Sequence, residues 1–96
     1  MPSINMTQVI KRGGRKQKFV PAKIRYSIKR AAQEAKISPE KQKQLVKDVG
    51  EAVIDFAKKK KLVKAVELRK SILGRIQRRM KSVASAWRRY EKRKKR

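Results

Sequence analysis

The chain has 96 residues and is strongly basic: 31 Lys and Arg against 7 Asp and Glu give a formal net charge of +24. A chain of this length forms one domain with a small core. It contains neither cysteine nor histidine, which excludes disulfides, thiolate zinc sites and the usual nucleophile and base pairs. We therefore expect no enzymatic activity and no metal site.

The spacing of apolar residues argues against disorder, since hydrophobic residues make up 39% of the chain and recur at regular intervals. No apolar run approaches the ~18 residues of a membrane span, and the first ten residues lack the order of a signal peptide. A cytoplasmic protein is predicted, with nucleoid association as one option. We predict a flexible leader over residues 1–7, one domain over 8–90, and a basic C-terminal tail or frayed helix end over 91–96.

A β-hairpin is predicted at the start of the domain. Two extended segments, residues 7–12 and 16–20, flank Gly13-Gly14. Such a pair tolerates the positive φ values that tight hairpin turns require.

The first predicted helix begins at Pro21, which fits a first helical turn because its missing N–H has no partner there. Residues recurring at i, i+3, i+4 spacing extend the helix to about Lys36 and define its buried stripe: Ile24, Ser27, Ile28, Ala31 and Ala35. Tyr26 falls on the exposed side of this helix and is a candidate for stacking on bases.

The second predicted helix has a strong start signal, with Ser38 as a cap and Pro39 at the first helical position. Its predicted core face is Leu45, Val49, Val53 and Phe56. Three acids, Asp48, Glu51 and Asp55, share a flank. We expect that flank to face away from any polyanion or to pair with cations of a neighbouring helix.

Two further helices complete the predicted domain. The lysine run 58–61 should end the second helix and lead into a loop. A third helix from about Ala65 has Gly74 inside it, where we predict a close helix contact. A fourth, over residues 82–92, presents Trp87 and Tyr90 on one face, to the core or, as the alternative, as exposed rings that stack on single-stranded bases. The predicted fold class is α+β, a short N-terminal β-hairpin packed over a four-helix bundle.

Three stretches of the chain are similar to one known family. Residues 9–14, VIKRGG, followed by Phe19 and Lys23-Ile24, are similar to its opening V-x-K-R-D-G and later K-I pair. Residues 66–69 are similar to the acid-plus-apolar start of its third helix, and residues 83–90, VASAWRRY, to its closing F-A-S-V-Y-R-x-F. In this order they resemble the ATP-cone domain, which regulates ribonucleotide reductases and the transcriptional repressor of their genes.

The resemblance implies a small sheet or hairpin over four helices, with ATP or dATP held between the glycine turn and the helices. It places five residues where the family contacts base, ribose and triphosphate: Val9, Lys11, Arg12, Lys23 and Arg69. Backbone N–H groups of Gly13 and Gly14, beside a lysine and an arginine, are typical of a phosphate cradle. The chain departs from the family at Gly13, Gln17 and Ala65, where the family has two acids and a small hydroxyl residue.

The excess of cations predicts a polyanionic partner, because self-repulsion at +24 is destabilising until it is neutralised. DNA and RNA are both compatible, and binding would be mainly to backbone phosphates. The candidate nucleic-acid contacts lie on the hairpin and the last two helices: Arg15, Lys16, Lys18, Arg75, Arg78, Arg79, Arg88, Arg89 and Arg93.

Two functions follow from these features. The first is a nucleic-acid-binding protein on an ATP-cone-like scaffold that compacts DNA, acts in transcription or lies on structured RNA. The second is an ATP- or dATP-binding sensor domain that acts on a protein partner. Binding to a membrane surface is disfavoured, because the helices turn small and β-branched residues inward without a broad aromatic face.

Overall fold

The computed structural model describes residues 7–94 of the chain. Residues 1–6 of the predicted leader (residues 1–7) and residues 95–96 of the predicted tail (residues 91–96) lie outside the described residues. Thr7 is buried, and its Oγ1 lies 3.2 Å from the carbonyl oxygen of Ala57 and 2.7 Å from that of Lys60. Residues 91–94 continue the last helix.

A three-stranded sheet forms one layer of the domain. Its strands are β1 (Gln8–Ile10), β2 (Lys16–Lys18) and β3 (Leu62–Lys64), in the order β2-β1-β3. The antiparallel pair β1 and β2 confirms the predicted hairpin, whose turn has Gly13 and Gly14 at φ of +89° and +87°. The expectation of a loop after the lysine run was wrong, because residues 62–64 pair in parallel with β1.

The register of the strands separates two faces of the sheet. Val9 is paired with Gln17 on one side and Val63 on the other, so these three residues share the inner face. The remaining residues of the three strands form the outer face: Gln8, Ile10, Lys16, Lys18, Leu62 and Lys64. Val9 and Val63 are buried, whereas the outer residues are exposed apart from the half-buried Ile10.

Helices form the second layer, in which five α-helical segments make up four helices because two of the segments are continuous, in agreement with the predicted four-helix arrangement. The segments are α1 (Pro21–Glu34), α2 (Pro39–Leu45), α3 (Glu51–Lys58), α4 (Ala65–Arg79) and α5 (Lys81–Lys94). Helices α2 and α3 are continuous through a π-helical segment, Val46–Gly50, whose flanking residues keep helical φ and ψ. The second predicted helix is therefore this composite helix, residues 39–58.

Local signals in the sequence explain where the helices begin. Pro21 opens α1, and the Ser38 Oγ accepts a hydrogen bond from the backbone N–H of Lys41 at 3.3 Å before Pro39. At the start of α4, the Glu67 carboxylate accepts the backbone N–H of Lys64 at 3.1 Å. Each contact satisfies a donor that a helix terminus leaves unpaired.

The core lies between the sheet and the helices and joins all of them in one cluster. Among its most deeply buried side chains are Ile28 of α1, Ile54 of α3 and Ile76 of α4. Trp87 is 3% exposed, which confirms its predicted core position. The close contact predicted at Gly74 was wrong: a Cβ added there would meet nothing within 4 Å.

Two of the three flank acids of the composite helix pair with cations of neighbouring helices. Glu51 Oε2 lies 2.9 Å from Arg25 Nε of α1, and Asp48 Oδ2 lies 2.8 Å from Arg79 Nη1 of α4. This is the second of the two arrangements expected for that flank. Over residues 7–94, no helix has the length and apolar character needed to cross a membrane.

Candidate functional site

A cavity of about 120 Å³ lies beneath the inner face of the sheet. Its walls come from the hairpin and three helices, so residues far apart in the chain meet there. The lining side chains come from the hairpin (Val9, Lys11, Gln17, Lys18, Phe19, Val20), α1 (Lys23, Ile24, Ser27), α4 (Ala65, Leu68, Arg69, Ile72) and α5 (Trp87, Glu91).

The apolar part of the cavity is built from core residues. Phe19, Leu68 and Trp87 are all buried and line it together. The Trp87 indole N–H donates to the Ser27 hydroxyl at 3.4 Å, and that hydroxyl donates to the Ile24 carbonyl oxygen at 2.9 Å. These bonds satisfy the buried indole N–H and orient its ring. The cavity therefore offers a rigid apolar wall suited to a flat ring.

Cations dominate the polar part of the same cavity. Lys11, Lys18, Lys23 and Arg69 line it, and Glu91 is the carboxylate among its lining residues. Four positive groups against one negative group give a surplus of positive charge in a partly enclosed space. Such a surplus attracts an anionic ligand.

A cleft of about 360 Å³ adjoins the cavity. It is lined by Ile10, Lys11, Arg12, Lys64, Ala65, Val66 and Arg69. Lys11, Ala65 and Arg69 line both spaces, so the two are neighbours. The cleft also contains the N-terminus of the 15-residue helix α4, where the helix dipole favours negative charge.

The sizes of the two spaces fit a ligand that has two parts. Small-molecule sites in proteins are typically ~300–1,000 Å³, and the inner cavity alone is smaller than that. The cleft alone lies within this range, and the neighbouring cavity enlarges the site. Chemically, the arrangement can hold a flat ring against the apolar wall while several anionic groups contact the cations of the cleft.

The structure brings together most of the residues predicted to contact a nucleotide. Val9, Lys11, Lys23 and Arg69 line the inner cavity, and Arg12 lines the cleft. The two turn glycines line neither space. The Gly14 N–H is already donated to the Lys11 carbonyl oxygen at 2.9 Å, so it is engaged in closing the turn.

The cations predicted to contact nucleic acid are distributed over several surfaces. On the hairpin, Arg15, Lys16 and Lys18 are exposed, and Lys18 also lines the inner cavity. On α4, Arg75, Arg78 and Arg79 surround a separate pocket that contains Asp48.

The three predicted contacts on α5 differ from one another. Arg88 and Arg89 are exposed. Arg93 forms an ion pair with Glu34 at the end of α1. Two of the predicted cations, Arg93 and Arg79, are thus already paired with acids.

Some residues of the site were not predicted as such. Gln17 lies on β2, and Phe19 directly follows the strand, two residues further on. Because side chains two residues apart in a strand point to the same face, this spacing was the signal in the sequence for an inward-facing pair. Trp87 and Ser27 were predicted only as core residues. Lys64 and Glu91 had no signal, because their places depend on β3 and on the packing of α5.

No match to the chain was found among curated proteins. Within residues 7–94, no group of three or more acids, histidines or cysteines is placed to hold a metal ion. A family model for the ATP cone domain matches residues 7–96. The match spans nearly the whole chain and agrees with the α+β fold of a small sheet over four helices. The chain belongs to the ATP-cone family.

Proposed function

We propose that this domain binds ATP or dATP and serves as a non-catalytic regulatory module for a protein partner. The supporting observation is the cavity beneath the sheet, in which four cations from the hairpin, α1 and α4 meet beside a rigid apolar wall. Membership of the ATP-cone family supports the same function.

In this proposal the two spaces divide the nucleotide between them. The base lies in the inner cavity against Phe19 and Trp87. The phosphates extend into the cleft, where Lys11, Arg69 and the N-terminus of α4 supply positive charge. This placement puts the charged part of the ligand in the larger of the two spaces.

The polar groups that read the nucleoside differ from those of the family. Gln17 and Glu91 line the inner cavity beside the apolar wall. The Gln17 amide both donates and accepts hydrogen bonds, whereas an acid at that position would only accept when ionised. Discrimination between ATP and dATP therefore depends on an amide and on a carboxylate from α5.

Calorimetry with ATP, dATP and inorganic triphosphate tests this function. We expect ATP or dATP to bind at least about tenfold more tightly than triphosphate, which corresponds to ~1.4 kcal/mol from the base and sugar. Equal weak binding of all three ligands would contradict the proposal, since it would indicate a generic anion site.

Variants test the placement of the phosphates. Lys11→Ala and Arg69→Ala should each weaken nucleotide binding by about tenfold or more, because hydrogen bonds to charged groups contribute ~1.5–3 kcal/mol. Arg15→Ala is the matched control: Arg15 is exposed on the same hairpin and lines neither space. The placement fails if Arg15→Ala weakens binding as much as the other two.

A second candidate function is nucleic-acid binding, which the net charge of +24 favours. Residues 1–33 contain no acid, so every charged side chain of the hairpin and of nearly all of α1 is a lysine or an arginine. We expect unrelated duplexes to be retarded in a gel shift at low salt and released steeply as salt rises. Absence of retardation at low salt would refute this function without affecting the nucleotide proposal.

A further inference from the structure

We propose that the outer face of the sheet is a docking surface for a nucleic-acid strand. This inference deepens the second candidate function and rests on it. The outer-face surface consists of the outward residues of the edge strands, Lys16, Lys18, Leu62 and Lys64, together with Arg15 and Lys61, the exposed residues that precede these strands. All six are exposed. Lys18 also lines the inner cavity and Lys64 the cleft, so these two cations border both surfaces.

The register places cations on both edges of this surface. Lys16 of β2 and Lys64 of β3 both pair with Ile10 of the central strand. Neighbouring strands are ~4.8 Å apart, so the two lysine backbones lie about 10 Å from each other across β1. Lys18 lies two residues from Lys16 on the same edge, ~7 Å along the strand. The lysines thus form a spaced array over a sheet face.

Further cations extend the array beyond both ends of the strands. Arg12 and Arg15 are exposed in the turn that follows β1. At the other end, the Gln8 N–H donates to the Lys61 carbonyl oxygen at 2.9 Å, which brings the lysine run beside the start of β1. A linear polyanion running parallel to the strands would meet positive charge along its whole path.

The surface has little competing negative charge. Residues 1–33, which include β1 and β2, contain no acid. Glu67 borders β3, and its carboxylate is already used: it accepts the Lys64 N–H at 3.1 Å and lies 3.8 Å from Lys60 Nζ. By contrast, the α4 arginines share a pocket with Asp48. The outer face is therefore better matched to a polyanion than the α4 surface.

Protection of the sheet edges explains only part of this pattern. Edge strands often carry lysines because their charge prevents pairing with another chain. That role does not account for Leu62, which is 45% exposed on an edge strand among the lysines. An apolar side chain between cations suits contact with the sugars and bases of a strand whose phosphates are held on either side.

The test uses a labelled single-stranded oligonucleotide in fluorescence anisotropy titrations at several salt concentrations. The outer-face variant combines Arg15→Gln, Lys16→Gln and Lys61→Gln, residues that line neither the cavity nor the cleft. The matched control removes the same charge from the composite helix through Lys41→Gln, Lys43→Gln and Lys47→Gln, all exposed.

We expect the outer-face variant to lose more than about tenfold in affinity and to reduce the log-log salt slope by ~2, since each phosphate contact on a single strand contributes ~0.7. The control should change the slope by less than ~1. Calorimetry with ATP should give the same affinity for the outer-face variant as for the wild type.

Three outcomes would overturn the inference, and they differ in what else they affect. Equal losses in the two variants would mean that net charge alone binds nucleic acid, which leaves the second candidate function standing. Absence of wild-type binding at low salt would remove both. Binding of poly-glutamate as tight as that of an oligonucleotide of equal charge would identify an acidic polypeptide as the partner instead.

Discussion

The inner and outer faces of the sheet are made from the same three short strands, yet their side chains have different surroundings. Val9 and Val63 on the inner face are buried, and Gln17 beside them lines the cavity. Lys16 and Leu62 on the outer face are exposed. Because side chains alternate along a strand, a slip of one residue would exchange the two sets. The register therefore determines both the cavity and the basic surface.

Contacts at the ends of the strands hold this register. The Phe19 N–H donates to the Thr7 carbonyl oxygen at 3.1 Å, and the Gln8 N–H donates to the Lys61 carbonyl oxygen at 2.9 Å. The first contact fixes β2 beside β1, and the second fixes the start of β3. Substitutions on the two faces, in the turn and at the strand ends test this difference between the faces.

The largest expected loss of stability comes from a charge placed on the inner face, and the same substitution at the neighbouring outer-face position serves as its comparison. Val63→Asp should destabilise the fold by ~4 kcal/mol or more, because it removes a core side chain that is 1% exposed and buries a charge. Leu62→Asp should change stability by about 1 kcal/mol or less at an exposed site. Urea denaturation measures both. Similar losses would mean that the two faces are not distinguished by burial.

A smaller effect is expected at the turn that joins β1 to β2. Gly14→Ala should cost ~1–2 kcal/mol, because φ is +87° there and an L side chain is strained in that region. Gly74→Ala is the control: it also has open space around an added Cβ, but it lies within α4 and should stabilise by up to ~1 kcal/mol. Denaturation curves that moved the same way for both would contradict this account.

The anchor of β1 should have an effect of similar or smaller size. Thr7→Val removes the hydroxyl that contacts the carbonyl oxygens of Ala57 and Lys60 while it keeps the side-chain volume. A loss of ~1 kcal/mol is expected from thermal or chemical denaturation. Thr7→Ser, which keeps the hydroxyl, should lose less than Thr7→Val; the reverse order would show that the methyl group dominates.

The smallest effect concerns Arg25, a cation of α1 that pairs with Glu51. The hydrogen bond from Arg25, helped by the charges of Arg25 and Lys58, holds the pKa of Glu51 below its ordinary value of 4.5. A lowered folded pKa contributes stability above the unfolded value, and that stability is lost as the pH falls through the folded pKa. Because both side chains are largely exposed, the contribution is small.

Carboxyl NMR titration checks this pair directly. Arg25→Gln should raise the pKa of Glu51 toward 4.5, whereas Lys16→Gln on the outer face should leave it unchanged. A Glu51 pKa that does not change in Arg25→Gln would show that the ion pair does not stabilise the ionised form of Glu51.

Local signals made much of the fold predictable. The glycine pair indicated the hairpin, and Pro21 and Ser38-Pro39 marked the starts of two helices where the structure has them. The third strand could not be found in the same way. Its three residues follow a lysine run and pair in parallel with β1, more than fifty positions earlier in the chain. Such pairing depends on tertiary packing and leaves no short-range pattern.

The candidate site was predictable in part, through Val9 and several of its cations. Lys11, Lys23 and Arg69 followed from the family resemblance, and all three line the cavity. The contribution of Glu91 could not be predicted, because it depends on how α5 packs against α1 and the hairpin. Gly74 illustrates the opposite error: a glycine within a helix indicated close packing, but its surroundings are open.

The lining of the inner cavity extends from Val9 to Glu91, which is nearly the full length of the domain. No fragment of the chain can form this cavity, so it exists only when the sheet and the helices have assembled. A ligand that binds there is consequently linked to the global folding equilibrium and stabilises the native state by RT ln(1 + [L]/Kd). At a ligand concentration a hundred times its Kd, this amounts to ~2.7 kcal/mol, so the melting temperature of the whole domain should report occupancy of the site.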